Sequence, residues 1–365
     1  MSIFNNDLLF ESADEFENLE DQGFDVEPTV ESAMEMGFEL TESVYKLNTS
    51  LYITDLLLEQ RSAMGEDVEV ALEAAVKDYF VRFKAWVERF WAKVKAFFAN
   101  IGKKLEATFS TGQHFIKKYK SGIKNAFGKG EKDYEYTVLH AVSKDEVRSN
   151  INLICRMNDG KISDYSSLES VINKAKSDVA GNKDVDAHIK ADEARVVSQL
   201  TSEAKTYAEA RAILSKKLGG KKNVGERKIL TGTDAETMLE FVEWYVNGGK
   251  RELKNKFNAT KVAVDNAKKL IKRAESDVNK AEAAKENGGK MGSYTKVFSA
   301  MTAKLNFIQW LNAKSLSSAA GTYRYYMGVL RGFAAKNSKL ITRESLEVEE
   351  TKNANSLLES VLEAF

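Results

Sequence analysis

The sequence predicts an all-α protein: an elongated helical bundle with a long C-terminal helical hairpin and at most one short strand. Two observations predict this fold class. The 365 residues include a single proline, Pro28, so no later proline ends or kinks a helix. Beyond residue 65, apolar residues recur at spacings of three and four, which places them on one face of a helix.

Charge is sorted along the chain, although the formal net charge is zero. Residues 1–79 hold 20 acidic and three basic side chains, and residues 344–365 hold six acidic and one basic, so residues 80–343 carry a net charge of +22. This layout predicts five segments: an acidic propeptide-like leader (1–73), a cationic amphipathic region (74–130), a small helical region (131–230), a long helical hairpin (231–343) and an acidic tail (344–365).

The clearest predicted helix starts near Glu66, because acidic side chains favour the positive end of a helix dipole. Over residues 80–127 it combines an aromatic stripe with many lysines. That stripe could pack in the core, lie on a membrane surface, or leave its basic face to nucleic acid, and core packing is the simplest reading. The stripe comprises Phe80, Phe83, Val87, Phe90, Val94, Phe97, Ile101 and Leu105, widened by Trp86, Trp91 and Phe98.

A short strand without an evident partner is predicted over Tyr134–Val142, the one segment rich in β-branched and aromatic residues, with a short helical or extended linker as the alternative. Further helices, separated by glycine-bearing turns, are predicted at Ser143–Met157, Tyr165–Val179, Lys190–Leu218, Asp234–Asn247, Lys250–Glu286 and Ser293–Lys336. The last two form the hairpin. Its arms are lined by Val262, Val264, Ala267, Leu270, Ile271, Ala274 and Val278, and by Val297, Met301, Leu305, Ile308, Leu311, Tyr323, Tyr326, Val329 and Phe333.

Gly-Gly-Lys occurs at 219–221, 248–250 and 288–290. Its amides and lysines could hold phosphate, but each copy follows a predicted helix, where glycine commonly ends the helix. No Walker loop is present.

The sequence gives no positive evidence for catalysis, so we expect no enzyme, metal or cofactor. His114, His140, His188 and Cys155 lack the spacing of metal ligands, and a Cys155–His140 nucleophile pair would rest on two residues alone. One cysteine fits a reducing compartment, and the chain shows neither a signal peptide nor an apolar run of about 18 residues.

Both charge boundaries contain a small or hydroxyl residue two positions before a glutamate, in Ala71-Leu72-Glu73 and Ser345-Leu346-Glu347. Ala13-Asp14-Glu15, Leu57-Leu58-Glu59 and the end of the tail show related tripeptides. In these tripeptides and in charge layout, the sequence resembles the internal head, or prohead core, proteins of large tailed bacteriophages. In that family a prohead protease cuts after glutamate and removes acidic propeptides. The resemblance implies cleavage between Glu73 and Ala74 and between Glu347 and Val348.

The resemblance implies a virion structural protein that is made in the host cytoplasm, assembled in the prohead with other head proteins, matured by the protease and packaged with double-stranded DNA. Before its removal, the acidic leader would neutralise the basic body. DNA binding would be nonspecific and electrostatic. The candidate DNA-binding residues are Lys103, Lys104, Lys117, Lys118, Lys120, Lys221, Lys222, Lys250, Arg251, Lys268, Lys269, Lys272 and Arg273.

Two other functions remain open from the residues alone. A membrane-active protein would use residues 80–127 at a lipid surface. A cytoplasmic helical scaffold without a polyanionic partner would explain the fold but would leave the sorting of charge unexplained.

Overall fold

A computed structural model of the protein describes residues 68–128, 133–157, 162, 164–175, 182–218, 225–283, 290–337 and 341. These residues are mostly helical, with one two-stranded antiparallel sheet, which confirms the all-α class. The elements in chain order are α1 (Val68–Gly128), β1 (Glu135–Thr137), α2 (Lys144–Arg156), α3 (Ser166–Ala175), α4 (Asn182–Ser198), α5 (Tyr207–Leu218), β2 (Arg227–Ile229), α6 (Gly232–Ala283) and α7 (Lys290–Lys336).

Three long helices, α1, α6 and α7, form the frame of the molecule. Helix α1 runs antiparallel to α6: Lys84 Nζ lies 2.6 Å from Glu275 Oε2 near one end, and Lys124 Nζ lies 3.0 Å from Glu236 Oε1 near the other. At 1.5 Å per residue, the two contacts on α1 are about 60 Å apart. The two helices therefore pack along most of their length.

Helix α7 runs back along α6 and parallel to α1. The rings of Tyr323 and Tyr245 stack at 4.6 Å, and Asn312 donates a 2.7 Å hydrogen bond to Thr260 Oγ1 on α6. Against α1, the ring of Phe298 stacks on Phe83 at 4.6 Å. The α6–α7 pair is the C-terminal hairpin that the sequence predicts, with α1 packed against both arms.

The predicted aromatic stripe of α1 lies in the core. All eight stripe positions are buried, as are Trp86 and Phe98, while Trp91 is half-buried over Phe257. Removing so much aromatic surface from water is the main force that holds α1 on α6 and α7. In the hairpin the prediction for Val262 is wrong, since this side chain is 49% exposed on the outer side of α6.

Between α1 and α6 the chain makes an excursion that contains β1, α2 to α5, and β2. The predicted strand is shorter than expected, at Glu135–Thr137, and it pairs with a second strand, Arg227–Ile229, that the sequence analysis did not predict. Tyr136 lies opposite Lys228. The ladder joins the two ends of the excursion.

Two buried lysines attach this excursion to the long helices. Lys304 on α7 is fully buried and contacts Asp192 of α4 at 3.0 Å, and it also donates to the carbonyl oxygen of Asp164. Lys256 on α6 is likewise fully buried and donates to the carbonyl oxygen of Ile154 on α2 at 3.2 Å. A buried ammonium needs such partners, because desolvation without them is costly.

The predicted helix at Lys190–Leu218 is in fact two helices, α4 and α5. At the break, the Thr206 side chain accepts a hydrogen bond from the Glu209 amide at 3.2 Å. The Glu209 carboxylate accepts from the Lys205 and Thr206 amides at 2.7 and 3.3 Å. This reciprocal capping starts a new helix at Tyr207.

The predicted turn at Gly248-Gly249-Lys250 is wrong, because α6 continues through it. A Cβ added at Gly249 would lie 2.6 Å from Cζ of Phe109, so this glycine allows α1 and α6 to approach closely. Gly249 therefore serves helix packing here, and neither Gly248 nor Gly249 ends a helix. The copies at 219–221 and 288–290 fall mainly outside the described residues.

Candidate nucleic-acid interface

The outer side of α6 forms a basic surface among the described residues. We call it the basic face. At 100° per residue its bases fall within an arc of about 140°, and from residue 250 to 273 they extend for about 35 Å. The basic face comprises Lys250, Arg251, Lys254, Lys261, Lys268, Lys269, Lys272 and Arg273.

The phase of the helix places these bases outward. Leu253, Phe257, Val264 and Ile271 turn toward α1 and α7 and are buried, so the positions opposite them face solvent. Two charged side chains in this part of α6, Glu252 and Lys256, do not belong to the basic face and are buried. The same periodicity thus removes one acid and one base from the surface.

Acidic side chains scarcely offset the basic face. Between residues 250 and 273 the one exposed acid of α6 is Asp265. From neighbouring helices, Glu88 of α1 lies 2.7 Å from Lys268 Nζ, and Glu169 of α3 pairs with Arg273. These two pairs lie toward the end of the face near residue 273, and a large positive potential remains along it.

The structure brings six of the predicted DNA-binding residues together on the basic face. They are Lys250, Arg251, Lys268, Lys269, Lys272 and Arg273. The sequence analysis missed Lys254 and Lys261, which lie on the same face. Their spacing from Arg251, three and ten residues, follows the helical repeat and could have identified them.

A second group of predicted bases lies elsewhere, on the last turns of α1. Lys117 and Lys118 are exposed there, but Lys120 Nζ lies 2.6 Å from Glu243 Oε2 of α6. Nearby, Glu236 pairs with Lys124 and Glu240 pairs with Lys144. This end of α6 is acidic, so Lys117, Lys118 and Lys120 belong to a mixed-charge surface separate from the basic face.

Four predicted bases have no described side chain. Lys103 and Lys104 are part of α1 and directly follow Gly102. Because Gly102 packs against Leu253 of α6, these two positions are level with the start of the basic face. Lys221 and Lys222 lie outside the described residues.

Of the two predicted cleavage positions, one falls within the described backbone. Glu73 and Ala74 belong to α1, ahead of Phe80, which is buried and is the first residue of this helix whose side chain the structure describes. The helix therefore continues across the boundary between the predicted leader and the cationic region. Glu347 and Val348 lie outside the described residues.

Cys155 and His140 are the two reactive side chains that the sequence suggests as a nucleophile pair. Burial raises the pKa of the Cys155 thiol, and the nearby Glu252 carboxylate raises it further, so the thiol stays protonated. His140 Nδ1 lies 3.4 Å from Thr322 Oγ1, and its ring packs against Tyr325. Among the described residues, no group of three His, Cys, Asp or Glu side chains could hold a metal ion.

In the part of the chain that the structure describes, no helix has the length and apolarity needed to cross a bilayer. The apolar stripe of residues 80–127 is occupied by contacts with α6 and α7.

Comparison with known proteins yields no relative: no family model, curated protein or solved structure matches this chain significantly.

Proposed function

We propose that this chain is an internal head protein of a bacteriophage, which binds packaged double-stranded DNA nonspecifically through the basic face of α6. The observation that carries the proposal is the separation of charge: eight bases and one exposed acid share one side of a helix over about 35 Å. Double-stranded DNA repeats its grooves over a similar length, and Lys and Arg neutralise its phosphates with release of counterions. Nonspecific binding requires no base-reading side chains.

Maturation by a prohead protease is the second part of the proposal. It is supported by the cleavage-like tripeptides at the two charge boundaries and by the position of Glu73–Ala74 ahead of Phe80, the first buried residue among the described side chains of α1. Cutting there would remove 19 acidic and only two basic side chains and leave the stripe that begins at Phe80 intact. The protein would thus be made in the host cytoplasm and would end inside the virion head.

To test the DNA-binding part of the proposal, the affinity of residues 74–365 for a short DNA duplex is measured over a range of salt concentrations. A variant with Arg251, Lys254, Lys261, Lys269 and Lys272 changed to Gln should make the plot of log affinity against log salt less steep by about 4.5, since each phosphate contact contributes about 0.9. A matched control changes five ion-paired lysines to Gln and should leave the slope nearly unchanged. The control residues are Lys120, Lys124, Lys144, Lys217 and Lys296.

Equal slopes for the two variants would contradict binding through the basic face. The maturation part is tested by intact mass and terminal peptide mapping of the protein from its natural source. A chain that starts at Ala74 is expected, and a chain that retains Met1 would contradict cleavage after Glu73.

The membrane-active alternative gains no specific support, because the apolar side chains that would enter a lipid surface are buried against α6 and α7.

A further inference from the structure

We infer that, in the uncleaved chain, residues 1–67 occupy the basic face of α6 and compete with DNA for it. This inference deepens the proposed function, on which its regulatory meaning rests. The occupant is a segment of the same chain, the part of the acidic leader that precedes α1.

Charge complementarity is the first argument. Residues 1–67 hold 17 acidic and two basic side chains, a net charge of −15. Across the described residues, the acidic end of α6 already has partners for Glu236, Glu240 and Glu243, whereas much of the basic face is turned to solvent. The basic face is therefore a surface to which the leader is attracted electrostatically.

The position where the leader joins the fold is the second argument. Helix α1 starts at Val68, and Lys84, four turns later, contacts Glu275 of α6. The leader therefore joins the end of the bundle where the basic face finishes with Lys272 and Arg273. An extended chain of 67 residues can reach about 200 Å, far more than the 35 Å or so of the face, so its length does not limit contact.

The acidic tail is a weaker occupant. Its net charge over residues 344–365 is −5, one third of the net charge of residues 1–67. The tail also starts at the end of the bundle that is farther from Lys272 and Arg273. Ile341, shortly before the tail, is buried against Gly122 of α1, and a Cβ added at Gly122 would lie 2.8 Å from Ile341 Cγ2. Gly122 lies near the level of Glu236 to Glu243, which is the acidic end of α6.

Tethering makes such an occupant effective. A segment joined by a flexible linker acts at an effective concentration on the order of millimolar, so even weak binding would hold much of the face. Cutting the chain after Glu73 would then expose the face to DNA by loss of the competitor alone. No rearrangement of the three long helices is required.

The test uses the full chain of 365 residues and two variants matched in charge. One variant changes six leader acids to amides, and the other changes six tail acids. We expect the leader variant to bind a short DNA duplex about tenfold more tightly at low salt, and the tail variant to change affinity much less. The leader set is Glu11, Asp14, Glu15, Glu17, Glu20 and Asp21, and the tail set is Glu344, Glu347, Glu349, Glu350, Glu359 and Glu363.

A second readout does not depend on DNA. Zero-length carbodiimide cross-linking of the monomeric full chain should join leader carboxylates to Lys254, Lys261, Lys269 or Lys272, as located by peptide mass spectrometry. Cross-links directed mainly to Lys117 and Lys118 would overturn the inference. Equal gains in DNA affinity for the leader and tail variants would also overturn it, because net charge alone would then explain them.

The two readouts separate this inference from the proposed function. Cross-links to the basic face in a chain that binds no DNA, even with the leader neutralised, would support the occupancy and reject the DNA-binding function. DNA binding that depends on the basic face but is indifferent to the leader acids would reject the occupancy and leave the function standing.

Discussion

Lys304 of α7 and the outer lysines of α6 lie in opposite surroundings. Helix α7 is enclosed by α1, α6 and the excursion, and its Lys304 is fully buried in an ion pair with Asp192. Helix α6 has one open side, where Lys261, Lys269 and Lys272 lie exposed. The comparison shows that the packing around a helix determines whether its lysines stabilise the fold or remain available to a polyanion.

The largest effect on stability is expected from Lys304→Ala. This change leaves Asp192 buried with Arg195 as its remaining charged partner, at 2.9 Å, and it removes the donor to the Asp164 carbonyl. We expect a loss of about 3 kcal/mol in the free energy of unfolding, measured by urea denaturation. The control on the open arm, Lys272→Ala, should change stability by less than about 0.5 kcal/mol. Similar losses in both variants would remove the distinction between the arms.

The next effect concerns pH and Lys256, a lysine of α6 that faces inward. Burial lowers its pKa to about 7, while the Glu252 carboxylate opposes that shift. Between this value and the ordinary lysine pKa near 10.4, the unfolded chain binds more protons than the folded chain, so stability should increase as pH rises from about 7 to 9.5. Relative to Lys256→Met, the wild type should gain about 1 to 3 kcal/mol over that range.

Chemical denaturation at several pH values measures this difference. The interval stays below the ordinary pKa of tyrosine, whose buried members such as Tyr323 have raised pKa values and would act in the opposite direction at higher pH. Parallel curves for the wild type and Lys256→Met would show that Lys256 stays charged in the fold.

A smaller effect is expected at the paired glycines of α6. Gly249→Ala should destabilise the protein by about 1 to 2 kcal/mol, because its Cβ would lie 2.6 Å from the ring of the buried Phe109. Gly248→Ala should instead stabilise it by about 0.5 to 1 kcal/mol, since its Cβ would lie 3.6 Å from Trp244 and alanine favours the helix. Thermal unfolding of both variants measures the contrast. The same sign in both would argue against close packing of α1 and α6 at this level.

The smallest effect is expected at the surface ion pairs. Lys120→Gln removes a partly exposed pair with Glu243 and should cost less than about 1 kcal/mol, with the difference decreasing as salt is added. Lys269→Gln should leave stability unchanged, so urea denaturation at low and high salt would distinguish a paired lysine from one on the basic face.

The sequence was sufficient to predict α1 and the hairpin, because large apolar residues recur with the period of a helix and nothing interrupts them. It was insufficient for β2, whose three residues, Arg227–Ile229, are all exposed and show no alternation. The break between α4 and α5 was in principle visible in Thr206 and Glu209, which have the spacing of a capping box. Gly249 could not be interpreted from the sequence, since its neighbour Phe109 lies 140 residues earlier.

The candidate site was predictable in part. Adjacent bases such as Lys268 and Lys269 were evident, and the periodicity of α6 also contained Lys254 and Lys261. By contrast, the separate location of Lys120 depends on Glu243, which is distant in sequence and approaches only when α1 and α6 pair. Sequence shows where the positive charge lies, but tertiary packing determines which charges already have partners.

The excursion between α1 and α6, closed by the β1–β2 ladder, has a consequence for the order of folding. During synthesis α1 emerges first, and more than a hundred residues must follow before α6 can cover its aromatic stripe. Helices α6 and α7 are adjacent in sequence and can associate as a local hairpin, whereas docking α1 requires closure of a long loop. Until α6 follows, the nascent chain therefore exposes a long row of phenylalanine and tryptophan side chains, and transiently exposed apolar surface of this kind favours aggregation.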